Sequence, residues 1–158
     1  MAHITIEYMI MIPVLIMQIF LFPYAATVIM DTWVDQHRGL ELQEIAGHLS
    51  SSVQQLYFTL NRASDGSGCL TATLDTPPTI DNHFYNITLQ DISNPSSSAK
   101  VMKITLNLIG ANGESSSLIT LGSNAAWQDG ATFRSNVTSI VATEVSGSIW
   151  LSFEGGPT

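Results

Sequence analysis

The sequence is poor in charged residues, and cations are especially few. Asp, Glu, Lys and Arg make up 11 % of the 158 residues, whereas an ordinary soluble domain carries about 25 %. Five Lys and Arg stand against 13 Asp and Glu, which leaves a net charge of -8. Binding to DNA or RNA requires a basic patch that neutralises several phosphates, so nucleic acids are excluded as partners. Because the mean hydropathy is positive as well, we expect part of the chain to lie outside water.

Cysteine and catalytic motifs are scarce too. Cys69 is the one cysteine and cannot close an intramolecular disulfide. It has no cation near it in the sequence, so we expect a half-buried, unreactive side chain. The four histidines are scattered without metal-ligand spacing, and neither a nucleophile elbow nor a glycine-rich phosphate loop occurs. The sequence therefore predicts no metal, no cofactor and no enzyme.

The sequence does contain a long uncharged run, residues 8–30, which we call the apolar segment. Its 23 residues are enough for a membrane-spanning helix, which needs about 20. The alternative is a secretory signal peptide, whose apolar core has about 7–15 residues and follows a cation. No Lys or Arg precedes this run. Pro13 and Pro23 each remove a helical hydrogen bond, so we predict kinks or short unwound stretches there, with Gln18, Thr27 or neighbouring helices as replacement partners.

Helical periodicity continues beyond the apolar segment. Apolar residues recur every three or four positions, at Leu42, Ile45, Leu49, Val53, Leu56 and Leu60, with polar residues between them. We call these six residues the apolar stripe, and we expect a folded head to cover it. The simplest prediction is one helix over residues 4–62; the alternative is a break within residues 31–39. Asp31 and Asp35 are expected to form a solvated collar just outside the membrane.

After Ser64 the composition shifts to Ser, Thr, Asn, Gly and β-branched residues, which favour strands and turns. Alternation predicts strands over residues 70–74, 84–89, 101–109, 117–121, 137–145 and 148–153. Turn-rich pieces separate them, which is typical of an antiparallel β-sandwich of the Ig-like kind. The predicted fold is thus α+β, with an N-terminal helix in residues 1–62 and a β-sandwich head in residues 63–158.

Three polar residues draw attention outside this framework. Asn86 and Asn136 each begin an Asn-x-Thr triplet and are candidate acceptors of N-linked glycans. Glu7 stands at the start of the apolar segment, where an unpaired carboxylate is costly to bury. Glu7 is therefore expected to find a cation or to become protonated.

The N-terminal residues resemble those of archaeal type IV pilins. Many members carry a Gln-x-Ser-x-Glu pattern before an unbroken apolar stretch and a long amphipathic helix. Here His3 takes the place of the Gln, Thr5 that of the Ser, and Glu7 that of the carboxylate. Pro23 lies near a helix-breaking proline that is common in bacterial relatives. The resemblance covers the N-terminal helical part, and the predicted head is similar to those of archaeal pilins only in class.

The resemblance implies a filament subunit that is made as a membrane-inserted precursor. A prepilin peptidase would cleave a cationic leader in the region of Ala2 and His3. That leader is not in the sequence, so either the chain is nearly mature or its start lies upstream. An assembly platform would then extract the subunit from the cytoplasmic membrane into a helical homopolymer on the cell surface. In that filament Glu7 would pair with an α-amino group.

A different class of protein shares most of these features. A membrane-anchored surface protein would have the same helix and head, but it would stay monomeric and bind a ligand through its head. Glu7 argues against it, because a passive anchor gains nothing from an acid at the end of its span. The positively charged flanks expected of a stable anchor are also missing beside the apolar segment.

Overall fold

The computed structural model describes residues 2–63, 68–94, 98–137 and 139–154, with side chains from Met9 onward. Within these residues one helix, α1 (Ala2–Arg62), is followed by eight strands. The strands are β1 (Cys69–Thr73), β2 (Tyr85–Asp91), β3 (Lys100–Leu108), β4 (Glu114–Leu121), β5 (Ala125–Trp127), β6 (Thr132–Arg134), β7 (Ser139–Val145) and β8 (Ser148–Glu154). The predicted α+β class, a long N-terminal helix followed by mainly antiparallel sheet, is confirmed.

Helix α1 is continuous from end to end. The prediction of a single helix is confirmed, and the alternative break within residues 31–39 does not occur. Pro13 and Pro23 lie inside α1, and the residues on both sides of each are helical. The unwound stretches anticipated at the prolines therefore do not form, whereas a kink at either one stays a prediction. The helix ends where the Ala63 N–H donates to the carbonyl oxygens of Thr59 and Leu60, at 3.3 and 3.1 Å.

The chain forms two compact units that meet within α1. The first unit is Met1–His37, which carries the apolar segment. The second unit is Arg38–Thr158, which contains the rest of α1 and all the described strands. The predicted domain boundary follows residue 62, where the helix gives way to strands. The second compact unit, in contrast, contains the second half of α1 together with the strands.

The strands form two four-stranded sheets, with the orders β1-β7-β8-β5 and β4-β3-β2-β6. Neighbouring strands are antiparallel except β5 and β8, which run parallel. All six predicted strands are present, with ends shifted by up to three residues. Strands β5 and β6 were not predicted, because three residues are too few to show an alternating pattern.

The hydrophobic core lies in the second unit, where α1 and both sheets bury their apolar sides. The apolar stripe is buried along its whole length, together with Ala46 and Tyr57 of α1. It joins one cluster with the inward residues of the sheets, among them Ile87, Leu89, Met102, Ile104, Leu106, Ile119, Ile140, Ile149, Leu151 and Phe153. Burying each large side chain contributes about 1.5–3 kcal/mol. The prediction that the stripe packs beneath the head is confirmed.

A polar network links α1 to the turn between β4 and β5. The Tyr57 hydroxyl donates to Asn124 Oδ1 at 2.5 Å, and Asn124 Nδ2 donates to Asn61 Oδ1 at 2.9 Å. Gly122 lies in the same turn, and a Cβ atom built there would be 2.1 Å from the Tyr57 hydroxyl oxygen. The close approach of helix and turn therefore depends on glycine at this position.

A two-residue turn fixes the register of β7 and β8. Ser146 and Gly147 have φ angles of 53° and 81°, which is the backbone of the tight hairpin turns that match the twist of paired strands. Glycine accepts this left-handed conformation without a steric penalty. The resulting register places Trp150 directly opposite Thr143.

Candidate assembly surface

The apolar segment exposes its side chains on every side of the helix. From Met9 to Met30, sixteen large apolar or aromatic side chains are at least 48 % exposed. They include Met9, Ile10, Met11, Ile12, Val14, Leu15, Ile16, Met17, Ile19, Phe20, Leu21, Phe22, Tyr24, Val28, Ile29 and Met30. A helix that is apolar all round is normally buried in a large core or in a membrane. Among the described residues α1 is the one helix long and apolar enough to span a membrane, and none of its most apolar 18-residue stretch is buried.

Backbone hydrogen bonding within the apolar segment is affected by its prolines. Pro13 and Pro23 have no N–H, so the carbonyl oxygens of Met9 and Ile19 lose their usual helical donor. The Thr27 hydroxyl donates to the Pro23 carbonyl oxygen at 2.8 Å, not to that of Ile19. Thr27 therefore satisfies its own hydroxyl within the helix, as hydroxyl residues in apolar surroundings commonly do. The carbonyl groups of Met9 and Ile19 therefore need another donor, such as one from a neighbouring helix.

The residues that carry the pilin resemblance lie at the start of α1. Ala2, His3 and Glu7 belong to the helical backbone, but their side chains lie outside the described part of the structure. Their roles in leader cleavage and subunit pairing therefore stay predictions.

Polar and aromatic side chains follow the end of the apolar segment. Asp31 and Asp35 are exposed, as the predicted solvated collar requires. The rings of Trp33 and His37 stack one helical turn apart, with centroids 5.4 Å apart and planes inclined by 3°. Trp33 is 65 % exposed. Tryptophan is enriched where a membrane-spanning helix enters the polar headgroup region, and Trp33 occupies that position relative to the apolar segment.

An ion pair forms where the second unit begins. Arg38 Nε donates to Asp81 Oδ2 at 3.0 Å. The side chain of Asp81 is 46 % exposed, so solvent screening limits what this pair contributes to stability. The pair connects α1 to the loop before β2, and no sequence motif marks it.

A cavity of about 520 Å³ lies between α1 and the same loop. Its acidic lining residues are Glu41, Glu44, Asp75 and Asp81, with His48 beside them. In the part of the chain that the structure describes, no three His, Cys, Asp or Glu side chains are grouped so that they could hold a metal ion. The cavity therefore gives no reason to assign a metal site to these residues.

The Cys69 prediction needs correction. Cys69 is exposed and not half-buried. It begins β1, which lies at the edge of its sheet, and it shares the outward positions of that strand with Thr71 and Thr73. Its sulfur accepts a weak hydrogen bond from the Thr143 hydroxyl at 3.7 Å. Side chains alternate between the two faces of a strand, and Cys69 takes an outward position because Leu70 and Ala72 face the core.

The two candidate glycan acceptors differ in accessibility. Asn86 lies within β2, directly opposite Asn107 on one side and Arg134 on the other, and it is half-buried. Asn136 is exposed in the turn between β6 and β7. Thr138, the third residue of its triplet, lies outside the described residues. The geometry makes Asn136 the better acceptor of the two.

The turn after β2 is organised by Asp91. Its carboxylate accepts hydrogen bonds from the Ser93 N–H at 2.9 Å and from the Ser93 hydroxyl. The Ser93 oxygen in turn accepts from the Val101 N–H at 2.8 Å. The hydrogen bonds from Ser93 favour the ionised carboxylate and hold the pKa of Asp91 below its usual value. The ionised Asp91 therefore stabilises this turn at neutral pH.

Comparisons of the chain with protein-family models, with characterised proteins and with solved structures found no match in any of the three. Function is therefore argued from the residues themselves. Outside the apolar segment, Trp150 is a large aromatic side chain that is 50 % exposed within β8 and that no motif marks. The sequence marks Trp150 as outward-facing, because it stands between Ile149 and Leu151, which are buried, and side chains alternate between the two faces of a strand.

Proposed function

We propose that this chain is the structural subunit of an extracellular filament of the type IV pilus class, similar to archaeal pilins. Its apolar segment packs against copies of itself in the filament core, and its β-region, an Ig-like sandwich, forms the outer surface. The filament serves adhesion or surface attachment, and the chain has no catalytic activity. Before assembly the apolar segment is inserted in the cytoplasmic membrane, where a prepilin peptidase and an assembly platform act on the precursor.

The observation that carries the proposal is the exposure of the apolar segment. Sixteen large apolar side chains are exposed there, and each contributes about 1.5–3 kcal/mol when it is buried. The sum is on the order of tens of kcal/mol, which exceeds the 5–15 kcal/mol that stabilises a typical domain. Water cannot be the final environment of such a surface. The apolar segment must end in lipid or against other protein, and a precursor that becomes a filament uses both in turn.

The filament is favoured over a permanent anchor by the groups in the apolar segment that need partners. Proline deprives the carbonyl oxygens of Met9 and Ile19 of their helical donors, and lipid offers none. Glu7 stands at the start of the segment, where an isolated charge costs several kcal/mol. Packing among helices supplies donors for the carbonyl groups, and the α-amino group of a processed subunit supplies a cation for Glu7. A lone helix in lipid supplies neither.

Glu7 provides the sharpest test of the proposal, because Glu7→Gln keeps the shape of the side chain and removes its charge. A hydrogen bond between charged groups contributes about 1.5–3 kcal/mol, which corresponds to about a tenfold to hundredfold change in a docking equilibrium. We expect filament yield to fall by that order, while the precursor still inserts in the membrane. Filament yield is measured by electron microscopy and immunoblotting of sheared surface material, and insertion by membrane fractionation.

Glu114→Gln is the matched control. It makes the same chemical change at the exposed start of β4, outside the apolar segment, and should leave filament yield unchanged. If Glu7→Gln assembles at the normal rate and amount, Glu7 has no role in docking. If the wild-type chain remains in the membrane as a monomer in producing cells, the protein is an anchored surface protein instead.

A further inference from the structure

Trp150 occupies an unusual position for an exposed tryptophan. It lies in β8, which has neighbours on both sides, opposite Thr143 of β7 and Ala126 of β5. Ile149 and Leu151, before and after it, are buried in the core. Because side chains alternate along a strand, Trp150 belongs to the outward side of the sheet. Its half-exposed indole is thus held on a rigid three-strand support and not on a loop.

The side chains around Trp150 are uncharged, and several of them carry hydroxyl groups. On the same outward side, Thr143, Cys69 and Ala126 share the row of Trp150, Ser148 and Val145 form the row before it, and Ser152, Val141 and Thr71 form the row after it. We call this set, together with Trp150, the Trp150 face. Thr71 and Ser152 are exposed, and Thr143 and Ser148 are half-buried. Hydroxyl groups both donate and accept hydrogen bonds, so this surround suits a ligand that is itself rich in hydroxyls.

The Trp150 face carries no charged side chain. Two acidic residues lie near the ends of β7 and β8. Glu144 is directly opposite Ile149 in the sheet and belongs to the same inward side. Glu154 is outward but lies four residues along β8 from Trp150, or about 13 Å at about 3.3 Å per residue. An uncharged surface on a chain of net charge -8 offers nothing to a phosphate backbone or to an anionic lipid. It is complementary to a neutral ligand.

We propose that the Trp150 face binds neutral polysaccharide. A pyranose ring with equatorial hydroxyl groups, as in β-linked glucan, has an apolar face of C–H groups that stacks on the indole. Its hydroxyl groups at the ring edge then bond to Thr143, Ser148 and Ser152. Trp150 supplies the large contact area at low entropic cost, because strand β8 already fixes its orientation.

The expected affinity of one site is weak, in the millimolar range, because a single ring buries little surface. Every residue of the Trp150 face belongs to the second unit, so binding does not require polymerisation. Polysaccharide binding and filament formation are therefore separate properties, and either can be present without the other. If the chain also polymerises, many weak sites along one filament would act together and raise the apparent affinity.

The test uses the full chain in micelles of a detergent without a sugar headgroup, since glycosidic detergents would compete for the site. Cellohexaose is titrated into the protein, and binding is followed by isothermal calorimetry and by tryptophan fluorescence. We expect saturable binding that Trp150→Ala weakens at least tenfold and that Trp150→Phe restores in part. Trp33→Ala removes an exposed tryptophan from the first unit and should bind like the wild type. Thermal melts establish that each variant is folded.

Three results would overturn the inference. The first is the absence of saturable binding to cellohexaose and equally to xylohexaose and mannohexaose. The second is binding that survives Trp150→Ala, which would place the sugar elsewhere. The third concerns a second copy of the chain as occupant. If cellohexaose does not bind and acrylamide quenches Trp150 in monomers but not in assembled filaments, that face is a subunit contact.

Discussion

The most informative stability experiment concerns Leu49, which lies in the middle of the apolar stripe. Its side chain is completely buried, so Leu49→Ala removes apolar contacts and leaves a cavity between α1 and the sheets. Substitutions of this kind cost about 2–5 kcal/mol. Leu40→Ala is the matched control, because Leu40 lies on the same helix and in the same unit but is 65 % exposed. We expect that control to change the free energy of unfolding by less than about 0.5 kcal/mol.

Urea unfolding of the full chain in micelles measures the difference. Trp127 is 8 % exposed and reports on the core; replacing Trp33 and Trp150 with Phe isolates its fluorescence. With a denaturant dependence of about 1–3 kcal/mol per molar urea, a loss of about 3 kcal/mol lowers the midpoint by about 1–3 M. Equal midpoints for Leu49→Ala and Leu40→Ala would mean that α1 contributes no packing to the head.

Three further outcomes are expected. Gly122→Ala should destabilise the second unit in the same urea assay, because its Cβ would displace the Tyr57 hydroxyl; destabilisation that persists equally in a Tyr57→Phe background would assign the effect to the backbone. Mass spectrometry of protein from producing cells should find more glycan on Asn136 than on Asn86, and higher occupancy at Asn86 would contradict the accessibility argument. The lowered pKa of Asp91 means that its contribution to stability is complete at neutral pH and is lost as the pH falls through the lowered folded-state pKa. Asp91→Asn should flatten that acid-side loss in pH-dependent melts, and an unchanged pH profile would exclude Asp91 as its source.

Long, regular patterns in the sequence predicted the elements they describe. Leu42 to Leu60 recur at helical spacing over five turns, so the helix and its buried side were both predictable. The six longer strands carry enough alternating residues to be recognised. Strand β5 has three residues and owes its existence to its pairing with β8, which is remote in sequence. A local sequence pattern cannot predict a strand that forms because the fold brings a distant partner strand beside it.

The surface features were less predictable for the same reason. Cys69 is exposed because it takes an outward position in β1, and the local sequence does not show that β1 lies at the edge of its sheet. The pairing of Arg38 with Asp81 depends on a loop folding back onto α1. Trp150 is the exception, since its parity against Ile149 and Leu151 marks it as outward from the sequence alone. The uncharged side chains around Trp150 could not be predicted from the sequence, because the register of β1, β7 and β8 determines which they are.

Electron microscopy of the purified full chain after detergent removal is the decisive test of filament formation. The filament proposal predicts long, regular filaments in which residues 9–30 of neighbouring copies contact one another near the axis, with the β-region outside. A helical reconstruction would show that packing and would identify the groups near Glu7 and near the Met9 and Ile19 carbonyl oxygens. Chains that stay monomeric or form amorphous aggregates without detergent, yet insert readily into lipid vesicles, would contradict the proposal and favour a monomeric membrane anchor.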